Sequence, residues 1–156
     1  MNIIKLLELA RFTLAGIGYY LAYQPGITLE HSFNYLLLLV VIPLAGLTGL
    51  ESVCFSDLTA QSKGREIGSA YQVQSGINNL AIAITAFMVW FWQWGLFASL
   101  TIIMVLLTFF ALSSINHTVE YVTARERKAI HLMRPVLTLM IIAATIPLIY
   151  NLLSIR

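Results

Sequence analysis

The chain has 156 residues, of which 59% are hydrophobic and 10% charged, with a mean hydropathy of +0.83. Soluble domains carry about 25% charged residues, so this composition excludes a water-facing globular surface. The net charge of +2 comes from loops on one side and reports topology, not affinity for nucleic acid, and the lone Cys54 excludes an intrachain disulfide framework or a CxxC redox pair.

A membrane-spanning helix needs about 20 mostly apolar residues. Five runs meet that length: Ile3–Tyr23, Phe33–Phe55, Ala70–Trp92, Leu96–Tyr121 and Pro135–Leu153. The expectation is an all-α fold, a polytopic integral membrane bundle of five transmembrane helices, with residues 1–156 forming a single transmembrane domain. The alternative is four spans plus an N-terminal interfacial helix. The first run is not a secretory signal, because Glu8 and Arg11 interrupt it and no small-residue cleavage pattern follows.

Orientation follows from the Lys and Arg in the loops. With the N-terminus cytoplasmic, Lys5, Arg11, Lys63, Arg65, Arg125, Arg127, Lys128 and Arg134 all fall inside, and Arg156 falls outside with the C-terminus. Tyr19, Tyr20, Tyr23, Tyr35, Trp90, Trp92, Trp94 and Tyr150 then sit near the outer interface, a level that amphipathic rings favour.

The first run places Glu8, Arg11, Ala15, Gly18 and Ala22 on one stripe. Small residues mark the side that packs in a membrane, so Glu8 and Arg11 are expected to face the bundle. Pro25-Gly26 is a turn signal closing the first hairpin. In the second run Ala45, Thr48, Gly49 and Ser52 form a similar stripe with Glu51 at its edge, and Pro43 is expected to kink the span.

Ser56–Gly68 reads as a cytoplasmic loop ending in Ser69-Ala-Tyr-Gln72, a capping-box pattern that starts the third span. There Gln72, Ser75, Gly76, Asn79, Ala83 and Ala86 line one face, and Gln74, Asn78 and Thr85 line the roughly opposite one. Two polar sides predict a helix surrounded by protein, so the third span is expected at the centre. Gln93–Phe97 allows only a tight antiparallel connection. Thr123-Ala-Arg-Glu126 is a second capping box, predicting a basic cytoplasmic helix over Ala124–Met133, with Pro135 in the first turn of the last span.

Five polar residues form the candidate ligand-binding set: Arg11, Glu51, Gln72, Asn79 and His117. Glu51 reads either as an interfacial carboxylate paired with Arg11 or Lys63, or as a proton- or cation-binding group shared with Arg11. Asn78 and Asn79 read either as hydrogen-bonding glue between helices or as cavity lining. His117 stands near Asn116 and one turn from Glu120, as an ordinary polar helix end or as a general base. His131 and Arg134, with Arg125, Arg127 and Lys128, are candidates for anionic lipid headgroups. No HxxxH or HExxH pattern, P-loop, nucleophile elbow or GxGxxG motif is present, so no metal, cofactor or catalytic residue is assigned.

The stretch Arg65-Glu-Ile-Gly-Ser-Ala-Tyr-Gln-Val-Gln-Ser-Gly-Ile-Asn-Asn-Leu-Ala81 resembles a motif of small bacterial membrane proteins grouped as a domain of unknown function. Gln74, Gly76, Asn79, Leu80 and Ala81 match it, and His117 stands for the histidine near the end of the next span. Tyr71 and Gln74 replace the family's more usual Phe and Glu. The architecture is also similar to DoxX-like four-helix proteins. The resemblance implies a helical bundle in a bacterial inner membrane and no established activity.

Three functions are compatible with these residues. The first is small-ligand or ion binding or transport through a polar cavity on the cytoplasmic side. The second is a structural or accessory subunit, partnered by a second copy or another membrane-embedded chain. The third is a membrane enzyme acting on lipid or quinone with His117 as base. A non-enzymatic role is the expectation.

Overall fold

The computed structural model describes residues 3–63, 70–123 and 130–154, and every regular element among them is helical. They divide into two compact units, Met1–Ile103 and Met104–Arg156. Four helices are long and apolar enough to cross a membrane, within Leu29–Cys54, Ala70–Phe91, Leu96–Thr123 and Pro135–Ser154. The chain is therefore an all-helical protein of membrane type.

In the first unit, helix α1 (Ile3–Ala22) buries Ile4, Arg11, Ala15, Gly18 and Ala22, so the stripe of small residues is the packing face. The turn that follows places Gly26 at φ 83°, directly after Pro25. Proline suits the second position of a type II turn and glycine the left-handed third. Thr28 then caps α2 (Leu29–Tyr35), its hydroxyl accepting from the His31 amide at 3.3 Å. This cap starts the second long helix four residues before Phe33, and Glu30 in the first turn suits the positive helix end.

Helix α2 runs without a break into a π-helical segment, Leu36–Val41, and then α3 (Ile42–Cys54). The Ile42 amide bonds the Leu37 carbonyl, five residues back, immediately before Pro43. A proline ring clashes with the carbonyl four residues earlier and offers no N–H. The widened turn accommodates both defects, so Pro43 is absorbed by a π segment.

Helix α1 lies antiparallel beside this composite helix along its whole length. At one end Ser32 Oγ donates to the Ala22 carbonyl at 2.8 Å. Midway, a Cβ added to Gly18 would come within 2.8 Å of Leu39 Cβ and of Val40 Cγ2. At the other end Arg11 reaches Thr48 and Glu51.

Ser56–Lys63 forms a short helix, α4, where the sequence reads as loop. Helix α5 (Ala70–Phe91) packs closely on α3. A Cβ on Gly49 would meet the Gly76 carbonyl oxygen at 2.9 Å, and one on Gly76 would meet Ser52 Cβ at 2.7 Å. Such backbone approach is what small residues allow in membrane bundles. Within the first unit the central place expected for α5 falls to the second long helix, where half of an 18-residue stretch is buried, against 33% in α5. Gln74, Asn78 and Thr85 are exposed. The second long helix is the more enclosed within the first unit because α1 and α5 both pack on it.

Helix α6 (Leu96–Thr123) continues from the first unit into the second, which also holds α7 (Ile130–Ser154). Within the second unit Ser114 Oγ donates to Thr138 Oγ1 at 2.8 Å. Pro135 lies inside α7 and not in its first turn, since the helix already runs from Ile130. Ser69 of the first predicted capping box, Ala124–Glu126 of the second and most of the predicted basic helix lie outside the described residues, while Thr123 ends α6 with its hydroxyl donating to the Val119 carbonyl at 2.8 Å.

Candidate functional site

The site is a buried ion pair between α1 and α3. Helical spacing puts Arg11 on the packing stripe with Ala15 and Gly18, and puts Thr48 and Glu51 one turn apart on α3. Arg11 Nη1 donates to Glu51 Oε2 at 3.0 Å and to Thr48 Oγ1 at 2.9 Å, while Nη2 donates to Glu8 Oε1 at 3.3 Å. The guanidinium carbon also stands 5.3 Å from the centre of the Phe12 ring. Arg11 is 8% exposed and Glu51 1%. Burying either charge alone carries a large desolvation cost, which the other offsets only through close, well-directed contact.

Glu51 is anchored through its backbone as well. Its carbonyl accepts from the Phe55 amide at 3.2 Å and from Thr59 Oγ1 at 3.3 Å, tying the end of α3 to α4. Gln72 Nε2 donates to the Ser56 carbonyl at 3.0 Å, so that side chain joins α5 to the start of α4.

Asn79 is 3% exposed on the face of α5 that carries Gly76 and Ala83. Its Nδ2 donates to the Ser75 carbonyl of its own helix at 2.9 Å, and its Oδ1 is buried without a hydrogen-bond partner. Of the two readings of Asn79, the hydrogen-bonding glue between helices is not made, because the amide turns back along its own helix.

The four sequence-selected residues of the first unit thus do not form one cluster. Arg11 and Glu51 meet directly, Gln72 and Asn79 stand on α5 in separate contacts, and His117 lies in the second unit, 6% exposed. Thr48 is the site residue that the ion-pair reading missed. It was legible as the hydroxyl three residues before Glu51. The side chains of Lys63, Glu120, His131 and Arg134, and all of Arg125, Arg127 and Lys128, lie outside the described set. Among the described residues no group of three or more His, Cys, Asp or Glu is placed to hold a metal.

A helical membrane-type chain with a buried arginine–carboxylate pair is the class that these features define. The chain belongs to a family of unknown function, DUF6790, whose model matches residues 1–155. No curated protein and no solved structure matches it.

Proposed function

We propose that this is a five-span membrane protein, N-terminus cytoplasmic and C-terminus outside, that binds a small ligand or ion in the polar layer of its first unit. The fifth span is α1. Its 20 residues cover about 30 Å at 1.5 Å per residue, the thickness of a hydrocarbon core. It lies in antiparallel register with Leu29–Cys54, so a bilayer crossed by one is crossed by the other. Arg11 is compensated by Glu51 and Glu8, which makes a charged first helix compatible with a membrane interior.

The binding reading rests on one observation, the buried, unpartnered Oδ1 of Asn79. A carbonyl in that position calls for a hydrogen-bond donor or a cation. Arg11 is already engaged by three oxygens, so it organises the layer and leaves recognition to Asn79. Native mass spectrometry of protein released from its own membrane tests the reading. The expected result is a non-lipid adduct on the wild type that is lost in Asn79→Leu and kept in Tyr71→Phe. A bare wild-type protein whose melting temperature is the same in Na⁺, K⁺ and choline salts would contradict it.

A second reading, a structural or accessory subunit, is favoured by the Gly49–Gly76 contact and by the saturated Arg11, neither of which needs a ligand. A membrane enzyme with His117 as base draws no support from the described residues beyond the burial of that side chain.

A further inference from the structure

Helix α5 carries a second polar face. Gln74, Asn78, Ala81 and Thr85 recur at i, i+4, i+7 and i+11, and all four are exposed. The Thr85 hydroxyl is satisfied by the Ala81 carbonyl of its own helix at 2.9 Å. The carboxamides of Gln74 and Asn78 make no hydrogen bond among the described residues. Asn78 stands eight residues beyond the first residue of α5, about 12 Å along a helix of spanning length. Hydrocarbon supplies neither donor nor acceptor, so an amide left against lipid at that depth is unfavourable.

We infer that this face is a self-association surface, occupied by the same face of a second copy of the chain with Asn78 at its centre. Two copies inserted the same way round can be related by a two-fold axis along the membrane normal, and such an axis sets each residue opposite itself. A side chain that bonds its own copy must be donor and acceptor at once. A carboxamide is both, whereas a carboxylate or guanidinium would repel its twin. Ala81 lets the two helices approach beside the amide. Ile77 and Ile84, 49% and 60% exposed, flank the stripe with the apolar surface that lipid requires.

Cross-linking of the full chain in its native membrane tests the surface. In a Cys54→Ser background, single cysteines are introduced by Gln74→Cys, Asn78→Cys, Ala81→Cys and Thr85→Cys, with Ile77→Cys and Ile84→Cys as flanking positions. After copper–phenanthroline oxidation the stripe positions should give disulfide-linked dimer at least about five-fold above the flanking two, as helical periodicity requires. In mild detergent Asn78→Leu should weaken the dimer about ten-fold, and Asn78→Gln should recover most of it. Monomer at every position, equal yield at all six, or a maximum at the flanking positions would overturn the proposal. Those outcomes would mean that another helix of the same chain, a different protein or lipid covers the amides.

Discussion

Arg11 and Glu51 meet although they are 40 residues apart in sequence, and removing one should hurt more than removing both. A lone survivor is an uncompensated buried charge, so Arg11→Met or Glu51→Gln alone should destabilise by about 3 kcal/mol. The double variant should lose clearly less than the sum, read by thermal unfolding in detergent. Additive losses would mean that the contact carries no coupling. Glycines divide in the same way. Gly49→Ala drives a methyl against the Gly76 carbonyl oxygen and Leu80, and should cost about 1–3 kcal/mol. Gly16→Ala, with nothing within 4 Å of its Cβ, should be neutral or stabilise by up to about 1 kcal/mol. In ligand-free protein Asn79→Leu should not lower the melting temperature, because it deletes an unsatisfied buried acceptor and leaves the Ser75 carbonyl in its helix bond.

Boundaries follow local chemistry that is only partly visible in hydropathy. The stripe of Ala15, Gly18 and Ala22 was legible because small residues at helical spacing have one use in a membrane, and it is the buried face of α1. The start of α2 was not, because the cap at Thr28 lies in a polar loop that a hydropathy window passes over. Thr28→Ala should therefore cost about 1 kcal/mol and fray Leu29–Ser32, seen as faster amide exchange there. Pro43 announced a disturbance, but hydropathy does not show the form it takes, a π segment over Leu36–Val41. Helix α4 was hidden because its anchors, Thr59 to Glu51 and Gln72 to Ser56, are tertiary.

For the whole molecule, class was plain from composition, since a chain with 10% charged residues cannot cover itself with water. Which helix lies innermost was not. Gln74 and Asn78 suggested that α5 is enclosed, yet the face they share is exposed, and within the first unit the second long helix is the one packed from both sides. The candidate site was legible as a pair, through the opposite charges of Arg11 and Glu51, but not as a cluster, because Gln72 and Asn79 turn to backbone carbonyls instead. The central proposal is that α1 crosses the bilayer, held to its neighbour by this pair. The most direct measurement is labelling of intact cells with an impermeant maleimide, using Asn2→Cys and Thr28→Cys variants in a Cys54→Ser background. A spanning α1 predicts that Thr28→Cys is labelled and Asn2→Cys is protected until the membrane is opened. Labelling of both from outside would leave α1 in the interface and contradict the account.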